Sequence, residues 1–220
     1  MTKQIVSLSG GKDSTAMLLM MLERGEQVDD IVFFDWGMEF PQMYEHLDKL
    51  ERYIKRPITR LYPVHNYEYY MFEIVKIRGS RKGQTGYGWP AFGRRWCTAL
   101  KRDITNKHKE LLTPVIDCIG YSYDERHRRP NWKDGYRYPL LEWGVTSQEA
   151  LKYCNRHGFY FGGLYELLKR VSCWCCPLRG AKGLMALRDN FPDLWQRLLD
   201  MDTKSSYPWP NNNLERVKHE

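Results

Sequence analysis

Ser9-Gly10-Gly11-Lys12-Asp13-Ser14 lies between an apolar run, Gln4-Ile5-Val6-Ser7-Leu8, and a helical pattern, Thr15-Ala16-Met17-Leu18-Leu19-Met20-Met21-Leu22. The first run predicts a strand and the second a helix. Strand, glycine turn and helix start together make a phosphate-binding geometry. Two glycines let the backbone approach an anion with no Cβ in the way. Amide N–H groups and the positive end of the helix dipole then face that anion. Lys12 and the hydroxyls of Ser9 and Ser14 add donors. The spacing fails the Walker A pattern, which needs four residues between its first glycine and Gly-Lys-Ser/Thr. It also fails the dinucleotide fingerprint with three spaced glycines. An ordinary glycine-rich βα turn is the plain alternative, but a strand before and a helix after favour a polyphosphate cradle.

The rhythm continues beyond the cradle. Asp30 to Asp35 reads as a second strand, Gln42 to Ile54 as a helix with apolar spacing at Met43, Leu47, Leu50 and Ile54, and Pro57 to Leu61 as a third strand. Tyr67 to Ile77 reads as another helix, and Val115 to Ile119 as a fourth strand ending at Gly120. Ser147 to His157 is helical with Ser147 as its expected N-cap. Asp193 to Met201 is a last helix, and the tail beyond Lys204 is expected to fray. Strands alternating with helices predict an α/β fold, a mainly parallel sheet flanked by helices. A nucleotide domain over 1–145 and a C-terminal helical, cysteine-bearing region over 146–220 are expected to pack together. Ligands in such sheets bind beyond the carboxyl ends of the strands. The loops after the first, second and fourth strands therefore converge: Ser9 to Ser14, Asp35 to Glu39, and Gly120 to Arg126.

Length and composition narrow the classes. A chain of 220 residues with 42% hydrophobic content can bury one large core. No apolar run approaches the roughly 18 residues of a membrane span. The first residues show no charged segment followed by an apolar one, which sets the expectation of a cytoplasmic location. Six cysteines then suggest metal ligands, thiols or core residues before disulfides. A formal net charge of +7 suits a polyanionic substrate, a nucleotide or a nucleic acid, and equally a merely solvated basic surface. Residues Arg78 to Arg95 carry five glycines and five basic residues and read as a mobile loop. Its arginines and lysine interleave with Tyr87, Trp89 and Phe92, which suits single-stranded nucleic acid or a lid over a nucleotide.

Five segments in order resemble the phosphoadenosine phosphosulfate reductase family, within the PP-loop adenine nucleotide α-hydrolase superfamily, and its small phage and mobile-element members in particular. They are Ser9 to Ser14, Asp35-Trp36-Gly37-Met38-Glu39-Phe40-Pro41, Arg95-Trp96-Cys97-Thr98-Ala99-Leu100-Lys101, Gly120 to Arg126, and Tyr138-Pro139-Leu140-Leu141-Glu142-Trp143. Trp36 stands where the family usually has threonine, and Ser205 to Glu220 lacks the cysteine that the family's reductases use as nucleophile. The resemblance implies a PP-loop enzyme that binds ATP, or a sulfonucleotide. It would cleave ATP at the α-phosphate and activate a substrate for sulfur transfer. A phosphoadenosine phosphosulfate reductase releasing sulfite, and a non-catalytic nucleotide- or nucleic-acid-binding module, are the alternatives.

On this reading Ser9, Gly10, Gly11, Lys12, Asp13, Ser14, Asp35, Glu39, Gly120 and Arg126 hold the nucleotide. Lys12, Asp13, Lys101 and Glu125 carry the chemistry. Asp13 can orient Lys12, bind Mg²⁺ or cap the helix, and Asp124 and Glu125 offer a second acidic pair for Mg²⁺. Arg126, Arg128 and Arg129 suit phosphate or a solvated face. Cys173 and Cys176 have CxxC spacing, with Cys97 a third ligand and Cys175 either a fourth or a free thiol. An iron–sulfur cluster of the [4Fe–4S] type is the first reading of this set, zinc the second, and a redox pair or plain buried cysteines the third. Cys118 and Cys154 read as core residues. A homodimer is a further expectation, and a membrane partner is not expected.

Overall fold

Five parallel strands form one sheet in the order β3-β2-β1-β4-β5 in the computed structural model, which describes residues 1–128 and 135–219. They are β1 (Lys3–Leu8), β2 (Asp30–Phe34), β3 (Thr59–Leu61), β4 (Val115–Ile119) and β5 (Tyr136–Arg137). The helices are α1 (Lys12–Glu23), α2 (Pro41–Ile54), α3 (Trp96–Glu110), α4 (Pro139–Glu142), α5 (Ser147–Arg156), α6 (Leu164–Leu167), α7 (Ala181–Asn190), α8 (Pro192–Lys204) and α9 (Asn213–His219). Ile5 and Val6 point to opposite faces of β1 and are both fully buried, as expected of a central parallel strand covered on both sides.

The register fixes where the strand ends lie. Leu8 pairs with Phe33 of β2, and Ser7 with Ile119 of β4. The chain winds outward from β1 through β2 to β3, then returns to place β4 on the other side of β1. That reversal puts the carboxyl ends of β1 and β4 side by side, the point at which open α/β sheets hold ligands.

The chain divides into two compact units that interleave along the sequence. The first comprises Met1–Asp35, Pro41–Tyr62 and Asp103–Leu164 and holds the sheet. In it α2 buries Met43, His46, Leu47 and Leu50, one face at helical spacing. Helix α5 buries Ala150, Tyr153 and Cys154 and lies against α1. The second comprises Trp36–Phe40, Pro63–Arg102 and Tyr165–Glu220. Its core includes Leu184 and Leu187 of α7, Leu198 and Met201 of α8, and Leu214 and Val217 of α9.

Four sequence expectations change. The run 67–77 is not a regular helix: only Tyr69–Glu73 turns, in a π-helical arc, before Ile74 extends and the Lys76 amide donates to the Gln84 carbonyl at 2.9 Å. The loop 78–95 is anchored, with Trp89 buried and donating to Asp202 Oδ1 at 2.9 Å. The tail is not frayed, because α9 and Trp209 are seated in the core of the second unit. The N-cap of α5 is Thr146, one residue earlier than Ser147. It makes a capping box in which Glu149 accepts from the Thr146 amide at 2.8 Å.

Among the described residues, no helix is long and apolar enough to cross a membrane.

Candidate functional site

The turn after β1 is held from within. The Ser9 amide donates to Ser14 Oγ at 3.1 Å, the two hydroxyls lie 3.0 Å apart, and Ser14 Oγ donates to the Gly11 carbonyl at 3.1 Å. Gly10 adopts φ +77°, a left-handed conformation that glycine reaches at little cost. Gly11 is the N-cap of α1 and makes no side-chain cap bond.

Gly120, at the end of β4, closes the other side. A Cβ there would stand 2.8 Å from Ser14 Cα and 2.9 Å from Ser14 N, both backbone atoms. The approach of β4 to the turn therefore requires glycine. Beneath the turn, Thr15 Oγ1 lies 3.1 Å from His46 Nε2 and 3.4 Å from the Gly10 carbonyl. His46 is packed on Phe159 and Phe161. Burial, and then the charge of Lys49, hold its imidazole down at about 4.

Asp13 is placed by two donors. Lys12 Nζ donates to one oxygen at 3.1 Å and Ser147 Oγ to the other at 3.0 Å. Burial pushes this carboxyl up; Lys12 and Ser147 oppose the shift, and Glu125 adds to it. Asp13 is thus wired to a lysine and a serine and is not the cap of α1. Asp124 accepts from the Ser147 amide at 2.8 Å, so its carboxylate serves the start of α5. Asp35 accepts from Tyr44 at 2.8 Å. Arg126 folds onto its own turn, with its guanidinium 4.7 Å from the Tyr123 ring centre. Arg129 lies outside the described residues.

Cys154 is buried, as a core residue should be, and it also serves the turn. Its Sγ donates to the Lys12 carbonyl at 3.4 Å, directly behind the turn. Burial pushes the thiol up to about 12, so it stays protonated and acts as a donor. Cys118 is a core thiol of β4, also pushed up to about 12 by burial.

The second unit brings the other cysteines together. Cys176 N donates to the Cys173 carbonyl and Arg179 N to the Cys176 carbonyl, both at 3.0 Å, which winds 173–179 into consecutive turns. Trp174 N donates to the Met38 carbonyl at 3.0 Å, and Cys173 Sγ donates to Glu39 Oε1 at 3.4 Å. Burial pushes the thiols of Cys97, Cys173 and Cys175 up. Each is raised further by a neighbouring thiol, and Cys175 by both Cys176 and Cys97. The four expected ligands are therefore within electrostatic reach of one another, and Glu39 stands with them in this unit. Lys101 follows on α3, also in this unit and half-buried. All six cysteines are unpaired. Around the thiols, Trp36 makes edge contacts with Tyr67, Tyr70 and Trp96 at 5.5–5.8 Å between ring centres.

Arg179 is the informative surprise here. It is buried, and it donates to the Cys173 carbonyl at 3.0 Å. Its Nε is buried with no hydrogen-bond partner. A buried guanidinium needs a compensating negative charge. Four ionised thiols around a metal would supply one, so the donor set fits a thiolate-held centre in kind. Among the described residues, no three His, Cys, Asp or Glu side chains converge in a metal-holding arrangement.

Comparison with known proteins matches the sequence model of the phosphoadenosine phosphosulfate reductase domain to residues 3–111. Residues 3–111 are thus similar to the phosphoadenosine phosphosulfate reductase domain family. This reductase-family segment runs from β1 through α3 and includes the Ser9–Ser14 turn and Cys97. Gly120 and the cysteines at 173–176 lie beyond it. An uncharacterized protein of Methanocaldococcus jannaschii is 26% identical over 212 residues, covering 88% of this chain. The chain spans 40% of that relative's length. The crystal structure of a phosphoadenylyl-sulfate reductase from Candida auris, a phosphate complex, shares the fold at a TM-score of 0.58. The match is at 17% identity and covers 79% of this chain and 82% of that one.

Proposed function

We propose that the chain is a PP-loop enzyme that binds ATP or a related adenine nucleotide through Ser9 to Ser14 and cleaves it at the α-phosphorus. The observation that carries this reading is the closure of the turn at the sheet's reversal. There Gly120 approaches Ser14 backbone too closely for any side chain, and the glycine turn leads directly into the start of α1. The phosphate of the Candida auris complex is an oxyanion of the kind such a turn accepts. Lys12 supplies the charge that meets the polyphosphate, and Asp13, gripped by Lys12 and Ser147, orients that ammonium group. Asp13 and Glu125, which feel one another's charge, are the carboxylates that would hold a divalent ion accompanying the nucleotide.

In the reaction, an acceptor oxygen attacks the α-phosphorus, the α–β P–O bond breaks, and pyrophosphate leaves with its electrons. The acceptor carries AMP as leaving group, and a hydrosulfide-class nucleophile displaces it. Cys97, Cys173, Cys175 and Cys176 are the residues that would hold an iron–sulfur centre, with zinc as the other occupant that thiolates accept. When bound, such a centre supplies sulfur or redox chemistry. Arg179 offsets its negative charge and the aromatic residues around Trp36 keep water out.

The family match favours a second reading, reduction of a phosphosulfate nucleotide to sulfite. The two are separated by product. Protein purified without oxygen is given ATP or the sulfonucleotide, and pyrophosphate and sulfite are measured. Pyrophosphate release that falls at least tenfold in Lys12→Ala and Ser14→Ala supports the first reading, since a charged hydrogen bond contributes about 1.5–3 kcal/mol. Sulfite without pyrophosphate supports the second. Unchanged nucleotide affinity in both variants overturns the cradle.

A further inference from the structure

Residues 78–95 carry five basic side chains and no Asp or Glu. The fold of the second unit concentrates that charge. Lys76 Nζ and the guanidiniums of Arg81 and Arg94 lie 4.5, 4.5 and 5.2 Å from the centre of the Tyr207 ring. Tyr207 is fixed from two sides. Lys76 Nζ donates to its hydroxyl at 3.1 Å and that hydroxyl donates to Gln84 Oε1 at 3.0 Å. The ring also sits against Gly88, where a Cβ would stand 2.5 Å from Tyr207 Cδ2.

Other cations of this unit do pair with carboxylates: Arg197 with Glu68, Arg188 with Asp189, Lys218 with Asp202. Among the described residues, none of Lys76, Arg78, Arg81, Lys82, Arg94 and Arg95 makes an ion pair with a carboxylate. Three like charges around one ring repel one another, and the ring face offsets only part of that. An incoming polyanion would offset the rest.

A second feature sits beside the charges. Ala91 and Arg94 exchange backbone hydrogen bonds, at 3.4 and 2.8 Å, which leaves Phe92 and Gly93 at the tip of a two-residue turn. The Phe92 ring is 89% exposed, with the Arg95 guanidinium 5.4 Å from its centre. The turn is held firmly behind this tip, because Trp89 is buried against Trp209 and bonded to Asp202. An apolar ring held out in water next to arginines is a stacking platform for an unpaired base.

We propose that this face of the second unit binds single-stranded nucleic acid, with Arg81, Arg94 and their neighbours on phosphates and Phe92 on a base. The cations alone would accept any polyanion. The ring selects a single strand, because paired bases present no open face to it. The surface works whether or not the turn at 9–14 takes a nucleotide.

The test measures anisotropy of a fluorescein-labelled 20-residue oligothymidylate against the full chain between 50 and 200 mM salt. Binding should weaken steeply with salt. Arg81→Ala combined with Arg94→Ala should reduce the log–log salt slope by about 1.4, from about 0.7 per phosphate contact on a single strand. Phe92→Ala should weaken binding about tenfold with the slope unchanged, in line with stacking on one base. All three positions are exposed, and circular dichroism checks that each variant folds. Lys12→Ala should bind the oligonucleotide like wild type. The proposal fails if duplex DNA and heparin bind as well as the single strand and Phe92→Ala changes nothing, which is a general polyanion surface. It also fails if phosphatidylserine vesicles are captured and the oligonucleotide is not, or if Lys12→Ala abolishes oligonucleotide binding.

Discussion

Acidification should destabilise this protein through one buried imidazole. His46 lies under the glycine turn, against Phe159 and Phe161, with Thr15 Oγ1 at 3.1 Å. Burial and the nearby Lys49 lower its titration from 6.5 to about 4. The folded state thus favours neutral His46, whereas the unfolded chain protonates near 6.5. Above pH 6.5 neither state binds the proton and the histidine contributes no pH dependence. As pH falls below 6.5 the unfolded state gains protons first, and stability drops until the folded state also protonates near 4. At 1.36 kcal/mol per pH unit the loss reaches about 2 kcal/mol at pH 5 and about 3 kcal/mol at pH 4. Urea unfolding of wild type and His46→Gln at pH 7.5, 6, 5 and 4.5 isolates this contribution, because carboxylate titration is common to both proteins. The wild-type curve should fall below the variant's trend between pH 6.5 and 4. Parallel curves across that range would refute the assignment.

Other outcomes follow from the geometry. Gly120→Ala forces apart two backbones by about half an ångström, since its Cβ would start 2.8 Å from Ser14 Cα. Calorimetric nucleotide affinity should fall more than tenfold, with about 1–3 kcal/mol of stability lost to overpacking. Cys173→Ser or Cys176→Ser should remove most bound iron, measured on anaerobically purified protein, while nucleotide affinity stays within a few-fold of wild type. Thr146→Ala removes the cap of α5 and should cost about 1 kcal/mol in thermal or urea unfolding.

Much of the first unit was legible because its signals are local. A β-branched run before glycines marks β1, and apolar spacing of three and four marks α2 and α5. The N-cap slipped by one residue because Thr146 and Ser147 are both capping types, and only the reciprocal bond to Glu149 distinguishes them. Helix α3 was hard to read since none of its residues is fully buried, which leaves no apolar stripe. Strand β5 has two residues in a polar stretch and is made a strand only by pairing with β4.

The site divides along the same line. The turn at 9–14 and the CxxC spacing are visible in short windows. Cys154 behind Lys12, His46 beneath Thr15, and Tyr67 beside the thiols are invisible there, since each meets its partners across long sequence separations. Glu39 follows Asp35 by four residues, yet the two serve different units.

The interleaving of the two units governs how the chain can be made. Synthesis releases Trp36 to Phe40 early, but Met38 must wait for Trp174 before its carbonyl finds a donor. The sheet-bearing unit is incomplete until Leu164 has emerged, and the other until α9 has. A cut after Leu164 leaves the sheet-bearing unit whole but still joined to Trp36–Phe40 and Pro63–Arg102 of the other, so no single cleavage frees either unit on its own.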